Sequence, residues 1–250
     1  MSKGIILHVW GDYALFTRPE MKAERVSYDV MTPSAARAIV SAIYWKPQIE
    51  WVVDRIHVLK PIRWTSVSRN EVSERMLTPA AAELMRSSQG EPIAWQGLCC
   101  DTARQQRASL LLTDVGYLIE AHFNVLDCRL NRNDDKPASL EECEAKHISI
   151  FNRRAKEGQY FSQPYFGCRE FPASFRLIEA GGDLPPCELE EKDRDFGYML
   201  HDMVYRPDKK GAIIDAHTKQ KLTAEPHFFR AVMKDGVIDI PPLDSKEARS

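Results

Sequence analysis

Alternating and helical hydrophobic patterns at the start of the chain predict a strand followed by a helix. Apolar and polar positions alternate over 5–16, which indicates a half-buried strand with a bulge or turn at Gly11-Asp12. Thr32 and Pro33 form a helix start, because Thr caps free N–H groups and Pro fits the first helical position. Apolar residues follow at helical spacing: Ala36, Ile39, Val40 and Ile43. The pattern therefore predicts a strand-helix unit over the first 43 residues or so.

Further along, the hydrophobic segments predict more strands. The helix should end before Pro47, and 49–67 is rich in Val, Ile and Trp, which favours a second strand that bends near Pro61. An Ala-rich, helix-prone segment at 73–90 is expected to form an addition outside the core fold. Segments 107–112 and 117–126 then predict a pair of strands joined by a turn.

The start of a second long helix is ambiguous. Ser139, with Glu142 three residues later, forms a capping-box pattern, and that helix would end near Gly158. His147 would then lie on the apolar line of the helix as a hydrogen-bonded core histidine. A start at Lys146 would instead place Lys146 and His147 at a helix N-terminus, where free N–H groups favour a phosphate.

The rest of the chain predicts one more strand and a β-rich tail. We expect a strand at 166–178, a linker with Gly-Gly and Pro-Pro pairs at 180–190, and short strands over 196–240. The order strand, helix, strand, strand, helix, strand matches a ferredoxin-like plan. The sequence thus predicts an α+β protein with a ferredoxin-like domain at 1–180 and a small β-rich region at 181–250.

Composition bounds the environment and the chemistry of the protein. With 250 residues and 44% hydrophobic content, the chain can bury a substantial core. Its 34 Lys and Arg nearly balance 36 Asp and Glu, so nucleic-acid binding must depend on local positive charge. No segment resembles a signal peptide or approaches the roughly 18 apolar residues of a membrane span. We expect a soluble, cytoplasmic protein with no membrane contact.

Neither the cysteines nor the carboxylates predict a metal site. The six cysteines include no C-x-x-C pair, and no His cluster has zinc-ligand spacing, which favours free thiols. Adjacent pairs Asp134-Asp135 and Glu141-Glu142 are explained by solvation and the helix dipole. Gly181-Gly182 lacks the Lys-Ser/Thr of a phosphate-binding loop. We expect no catalytic metal and no cofactor.

Positive charge is grouped along the chain and interleaved with aromatic residues. The groups are Arg63, Arg69 and Arg75; Arg104 and Arg107; Arg129 and Arg132; Arg153, Arg154 and Lys156; and Arg169. Any one group, taken alone, is explained by a solvated surface. The aromatic residues Trp45, Trp64, Tyr165 and Phe166 favour RNA binding, because bases stack on aromatic faces and phosphates bind Arg.

Five motifs in one order resemble a known family. They are Gly-Asp-Tyr-Ala-Leu-Phe at 11–16, Ala-Ile-Tyr-Trp-Lys-Pro at 42–47, Arg-Asn-Glu-Val at 69–72, Lys-His at 146–147 with Phe-Asn-Arg-Arg at 151–154 and Gly-Gln at 158–159, and Pro-Tyr at 164–165 with Gly-Cys-Arg-Glu-Phe at 167–171. Over roughly 5–240 the chain is similar to the type I-C Cas-five family of CRISPR-associated proteins. Each motif is weak alone, but their common order makes an accidental match improbable.

The resemblance implies a fold, an activity and a set of partners. The fold is a ferredoxin-like (RRM-like) domain with a smaller C-terminal β-sheet region. The activity is metal-independent cleavage of CRISPR precursor RNA at the 3′ base of the repeat hairpin. The mature guide RNA then stays bound by its 5′ handle in the type I-C interference complex, with backbone and large subunits as partners; binding to duplex DNA is left open.

Residues at the cut are also implied by the resemblance. Processing members place a Tyr, a Lys and a His there, which correspond to Tyr44, Lys146 and His147. The resemblance favours the helix start at Lys146. The RNA-binding residues expected around the cut are Trp45, Lys46, Arg63, Arg69, Arg153, Arg154 and Arg169.

These three side chains suit RNA cleavage without a metal. His147 titrates near neutrality, and the charge of Lys146 would lower its pKa and keep a neutral base available. Lys146 would offset the charge of the phosphorane, and Tyr44 would position the scissile phosphate. Taken alone, Tyr44 is also explained as a cap on the helix edge. Alternatives are a non-catalytic subunit that caps the 5′ end of a guide RNA and a generic RNA-binding module.

Overall fold

In the described part of the chain, the fold consists of one mostly antiparallel sheet and two helices. The computed structural model describes residues 4–21, 23–72, 103–128, 138–179, 181–208, 212–214, 220–243, 245 and 248. Its strands are β1 (Ile5–Ala14), β2 (Arg25–Val26), β3 (Ile49–Val58), β4 (Arg63–Val72), β5 (Arg104–Val125), β6 (Ser174–Ile178), β7 (Arg194–Pro207), β8 (Ile213–Ile214), β9 (Lys221–Lys234) and β10 (Val237–Asp239). The helices are α1 (Pro33–Ile43) and α2 (Leu140–Lys156).

Across the described residues, the strands form a single ten-stranded sheet. Its main path runs β6-β1-β5-β3-β10-β9-β7, with β2 and β4 paired to β5 and β8 paired to β9. The β2–β5 pair is parallel, and the other pairs are antiparallel. The C-terminal strands continue the sheet because Ile238 of β10 lies opposite Ile56 of β3. The structure therefore confirms an α+β fold.

Both helices bury an apolar stripe against the sheet. The buried side of α1 consists of Pro33, Ala36, Ile39, Val40 and Ile43. That of α2 consists of Cys143, His147, Phe151 and Ala155. These stripes join residues such as Leu7 and Ile119, which are 0% exposed, in one core cluster. Each fully buried Leu or Ile side chain stabilises the fold by roughly 1.5–3 kcal/mol.

The helix starts follow local capping chemistry. Thr32 caps α1, accepting a hydrogen bond from the N–H of Ala35 at 3.3 Å, as the sequence predicted. Ser139 caps α2: its Oγ accepts from the N–H of Glu142 at 3.2 Å, and the Glu142 carboxylate accepts from the N–H of Ser139 at 3.1 Å. The favoured helix start at Lys146 was therefore wrong, because the capping box and the buried stripe extend α2 back to Leu140.

The expected turn between two strands at 107–126 is a bend in one continuous strand. β5 runs through the segment, and Asp114 adopts a left-handed conformation with φ 51°. Lys60 and Arg63 bind the Asp114 carboxylate from the neighbouring chain segment. The Gly116 carbonyl accepts from the N–H of Leu59 at 3.0 Å. The predicted break near Pro61 is confirmed, since β3 ends at Val58 and β4 begins at Arg63.

The segment 166–178 is a strand only in its last part. β6 begins at Ser174, while Tyr165 bridges to Pro172 across a loop. Gly167 has φ +77°, and a Cβ there would overlap the Leu15 carbonyl, so the loop packs its backbone directly on the end of β1. The loop inserts Phe166, which is 0% exposed, into the core.

The C-terminal region contains long strands rather than the short ones expected. β7 and β9 each span 14 residues and pair as an extended hairpin. The described residues 181–193 hold no helix or strand, in agreement with the expected linker. The helix-prone segment 73–90 lies outside the described residues. No helix in the described part of the chain is long and apolar enough to cross a membrane.

Candidate active site

The end of α1 and the middle of α2 bring Tyr44 and His147 into direct contact. Tyr44 follows α1 as its C-cap, and its N–H donates to Val40 O at 3.2 Å. The Tyr44 carbonyl accepts from the indole N–H of Trp51 at 2.8 Å, which fixes the chain where the helix ends. The Tyr44 hydroxyl lies 2.7 Å from Nδ1 of His147. Both side chains are buried, with residue exposures of 1% and 2%.

Aromatic side chains enclose the His147 imidazole. Phe123 of β5 meets it edge-on, with ring centroids 6.1 Å apart. Trp51 of β3 packs against both Phe123 and Phe151, at centroid distances of 5.2 and 5.0 Å. The imidazole is therefore buried next to a cluster of packed aromatic rings. The hydrogen bond to Tyr44 supplies the polar partner that a buried imidazole requires.

Arg154 of α2 contacts both the Tyr44 ring and the end of α1. Its Nη1 donates to the Ile43 carbonyl at 3.0 Å, and its guanidinium lies 5.3 Å from the Tyr44 ring centroid. The first contact satisfies a carbonyl at the end of α1, and the second is a cation–π interaction. Arg154, which the sequence assigned to RNA binding, thus fastens α1 to α2 beside the Tyr44–His147 pair.

Burial and charge set the protonation states of the pair. Burial, then the charges of Lys146 and Lys46, lower the pKa of His147 below its usual 6.5. Burial raises the pKa of Tyr44, and the Arg154 charge partly opposes the increase. At neutral pH the imidazole is therefore neutral and the phenol keeps its proton. Since Tyr44 engages Nδ1, Nε2 is the His147 nitrogen that could act on a ligand.

Of the three residues assigned to the cut, Tyr44 and His147 are brought into contact, and Lys146 is the neighbour of His147 on α2. Lys146 is half-buried. Lys46, two residues after Tyr44, is exposed and also acts on the charge of His147. The pair is therefore flanked by two ammonium groups, which favours an anionic ligand.

The RNA-binding residues predicted from the sequence divide into two groups. Trp45 is 55% exposed, and Lys46, Arg153 and Arg169 are also exposed. Arg153 lies 4.0 Å from Glu157 one helical turn away, a weak surface pair. This group can meet a ligand without loss of internal contacts.

The second group makes contacts inside the fold. Arg69 is bound by Glu170, lies 5.3 Å from the Phe171 ring centroid, and has a side chain only 14% exposed. Arg63 of β4, with a side chain 60% exposed, shares Asp114 with Lys60, which precedes the strand. Arg69 thereby ties β4 to the 165–172 loop.

Sequence reasoning missed a cavity beside this pair. The cavity has a volume of about 370 Å³, and its lining includes Arg37 and Ser41, four residues apart on α1, and Trp45, which follows the helix. That spacing was the available signal. Among the residues that the structure describes, no group of three or more His, Cys, Asp or Glu side chains could hold a metal ion. Cys128, Cys143, Cys168 and Cys187 carry free thiols.

Comparison with known proteins defines the class of this chain. Residues 4–241 match the sequence model of the family Cas_Cas5d, described as "CRISPR-associated protein (Cas_Cas5)". The class is therefore that of CRISPR-associated proteins. The chain belongs to the Cas5d family, which confirms the resemblance found in the sequence.

Two curated relatives cover nearly all of this chain. A protein of Mannheimia succiniciproducens is 46% identical over 251 residues, and the match covers 100% of each of the two chains. A protein of Thermus thermophilus is 38% identical over 237 residues, and the match covers 93% of this chain and 89% of the relative. Both are named "CRISPR pre-crRNA endoribonuclease Cas5d".

Solved structures share the fold at low identity. An uncharacterized protein, SMU1763c from Streptococcus mutans, is 21% identical with a TM-score of 0.60, covering 100% of this chain and 98% of that chain. A structure described as a CRISPR-associated protein is 23% identical, also with a TM-score of 0.60, covering 100% of this chain and 97% of that chain. These similarities concern the fold alone.

Proposed function

We propose that this chain is an endoribonuclease that cleaves CRISPR precursor RNA at the base of the repeat hairpin without a metal ion. The Tyr44–His147 hydrogen bond, flanked by Lys46 and Lys146, is the observation that carries the proposal. The curated relatives, with 46% and 38% identity, are both named as endoribonucleases acting on this kind of RNA.

In the proposed reaction, His147 acts as general base. A neutral imidazole that donates Nδ1–H to the Tyr44 oxygen presents a lone pair at Nε2. Nε2 takes the proton of a ribose 2′-hydroxyl, the 2′-oxygen forms a bond to the adjacent phosphorus, and the bond to the 5′-oxygen breaks. The products are a 2′,3′-cyclic phosphate and a 5′-hydroxyl: the 5′-oxygen takes a proton from solvent water as it leaves, and the protonated Nε2 of His147 returns its proton to solvent.

Tyr44 is a positioning residue in this proposal. Its hydroxyl contacts the imidazole and is buried, so it sets the ring orientation and the tautomer of His147. The sequence had assigned Tyr44 to the scissile phosphate. Lys146 keeps the assigned role, because an ammonium group beside the base stabilises the charge that develops on the phosphorane.

Access to His147 requires a rearrangement on RNA binding. The residue is only 2% exposed, and catalytic hydrogen bonds often reach their working geometry only in the complex with substrate. Trp45, Lys46, Arg153 and Arg169 are the exposed residues that we assign to the bound RNA, through stacking and phosphate contacts.

The fold supports this assignment at the level of architecture. The order β1-α1-β3-β5-α2-β6, with β6-β1-β5-β3 as neighbours in the sheet, supports a ferredoxin-like arrangement with β2 and β4 added to β5. We propose a ferredoxin-like domain at 1–180 and a C-terminal β region at 181–250 that continues its sheet.

A second candidate is a non-catalytic subunit that caps the 5′ end of a guide RNA. The burial of His147 favours it, because a hydrogen-bonded histidine among aromatic rings also serves as a core residue. In either case we propose that the chain keeps the 5′ handle of the mature guide RNA and joins the backbone and large subunits of the interference complex. Binding to duplex DNA is a separate question for the assembled complex.

Cleavage of a repeat RNA in EDTA tests the proposal. The purified chain should cut the RNA at one site in EDTA and should not cut RNA in which the nucleotide before the scissile phosphate is 2′-deoxy. His147→Ala should bind the same RNA without cutting it. Uncut RNA, or cutting that survives the 2′-deoxy change, would overturn the proposed mechanism. Equal cutting by wild type and His147→Ala would remove His147 from the reaction.

A further inference from the structure

Beside the Tyr44–His147 pair, a cavity of about 370 Å³ opens on the outward face of α1. Its lining includes Arg37, Ala38, Ser41, Trp45, Ser162 and Tyr165. We propose that this α1 cavity binds one unpaired nucleobase of the RNA next to the cut. The inference rests on the proposed RNA-cleaving function and adds a subsite to it.

The size and walls of the α1 cavity suit a planar aromatic ligand. Its volume lies within the range of roughly 300–1,000 Å³ that is usual for small-molecule sites. Trp45 is 55% exposed, although it is a large apolar side chain, and Tyr165 lines the same space. Base stacking on such rings is tolerant of sequence, because every base has a π-face. Ala38 leaves room for the ring on the helix surface.

Charge in the cavity favours a neutral base over a phosphate. Arg37 donates from Nε and Nη2 to one carboxylate oxygen of Asp202, at 2.8 and 2.6 Å. This pair offsets the positive charge of Arg37, so the cavity lacks the net charge that an isolated phosphate would seek. The guanidinium keeps its remaining N–H donors for a carbonyl or ring nitrogen, and Ser41 and Ser162 add hydroxyl groups.

The cavity is held in place next to the candidate active site. The N–H groups of Phe161 and Ser162 both donate to the Ala42 carbonyl, at 2.8 and 3.2 Å, which fixes this loop against the last turn of α1. Trp45 directly follows Tyr44 in the chain. A base seated on Trp45 would therefore lie next to the residue that contacts His147.

A scan of the unpaired nucleotides of a repeat hairpin tests the proposal. Each one is replaced in turn by an abasic nucleotide, and binding to the full chain is measured. At one position near the cut, affinity for the wild type should fall by about 10- to 100-fold, the effect of losing one base–aromatic stack. Ala38→Phe, which fills the cavity, should bind intact RNA with an affinity lower by a similar factor. The abasic change should cause no further loss of affinity in this variant.

Control variants separate the cavity from other causes. Ala108→Phe adds the same bulk at an exposed position of β5 and should bind as the wild type does. Trp45→Ala should repeat the loss, and Trp45→Phe should recover part of it. In addition, 5-iodouridine at the sensitive position should crosslink to Trp45 or Tyr165, as found by mass spectrometry.

Two failures are distinguishable. If the wild type binds and cuts the RNA but no abasic position matters and Ala38→Phe binds normally, the α1 cavity holds no base. If the wild type does not bind the repeat RNA in the same assay, the proposed function itself fails, together with this subsite.

Discussion

The hydroxyl of Tyr44 and Nδ1 of His147 lie 2.7 Å apart, although 103 positions separate the two residues in the chain. The contact requires α1 and α2 to pack side by side, since Tyr44 caps one helix and His147 lies in the middle of the other. It links the stability of the helical layer to the chemistry proposed for the imidazole.

Removal of the Tyr44 hydroxyl should affect both stability and cleavage. Tyr44→Phe leaves Nδ1 of His147 buried without a partner, which costs about 1–3 kcal/mol of unfolding free energy. Cleavage by the folded protein should fall roughly 10- to 100-fold, because the imidazole loses its orientation. Urea denaturation and single-turnover cleavage measure the two effects.

Tyr28→Phe is the matched control for this change. The Tyr28 hydroxyl is also buried and accepts a hydrogen bond from the N–H of Leu200 at 3.2 Å. Its loss should destabilise the protein without slowing cleavage by the folded fraction. Equal loss of cleavage in both variants would mean that Tyr44 acts only through stability.

Cleavage should increase with pH through an inflection below 6.5. Burial, Lys146 and Lys46 lower the pKa of His147, and protonated imidazole cannot accept the 2′-hydroxyl proton, so the rate falls as pH decreases through that pKa. Single-turnover rates at saturating enzyme between pH 5 and 8 measure this profile. Lys46→Gln should move the inflection upward, whereas Lys156→Gln, whose ammonium binds Glu179 instead, should not. An inflection above 6.5 in the wild type would contradict the assignment.

Folding stability should decrease on acidification in the same range. The unfolded chain binds a proton at His147 with the ordinary pKa of 6.5, and the folded chain binds it only at lower pH. Between these values the unfolded state holds more protons, so the unfolding free energy falls as pH falls below 6.5. His8, whose pKa burial, Arg176 and Lys60 also lower, contributes with the same sign. Urea denaturation of His147→Gln at several pH values should show a shallower slope than that of the wild type.

Arg69→Ala should lower the stability of the protein, whereas Arg169→Ala should change its binding to RNA. Arg69→Ala removes the partner of Glu170 and the cation over Phe171, and it should cost about 1–3 kcal/mol of unfolding free energy. Arg169 is exposed, so Arg169→Ala should leave the unfolding free energy unchanged and reduce the slope of log affinity against log salt by roughly 0.7 if it meets a phosphate of single-stranded RNA. Unchanged salt dependence would exclude Arg169 from the RNA contacts.

Two glycines with left-handed backbones should differ in their tolerance of alanine. At both Gly158 and Gly167 a side chain must accept a positive φ, which costs about 1–3 kcal/mol. A Cβ at Gly158 meets nothing within 4 Å, whereas at Gly167 it would overlap the Leu15 carbonyl. Thermal unfolding should therefore show a much larger loss for Gly167→Ala than for Gly158→Ala. Similar losses would show that the 165–172 loop can move away from β1.

Local chemistry made much of the fold predictable. Thr32 and Ser139 mark the starts of both helices because capping depends on residues three positions away in the chain. The prediction of a turn near Asp114 was wrong, because β5 continues through this position. Lys60 and Arg63, from another segment of the chain, bind the Asp114 carboxylate there. The strand expected from 166 was wrong because the fit of Phe166 and Gly167 against β1 is a tertiary contact.

By itself, the sequence determined the family and the order of the main elements, and through the family resemblance it predicted three residues at the cut. Only the tertiary structure decided that the Tyr44 hydroxyl contacts His147, and that Arg69 and Arg154 make internal contacts. It also formed the α1 cavity from residues of α1 and the loop at 162–165. Motifs and caps are properties of neighbouring residues, whereas burial and hydrogen-bond partners depend on how distant segments pack.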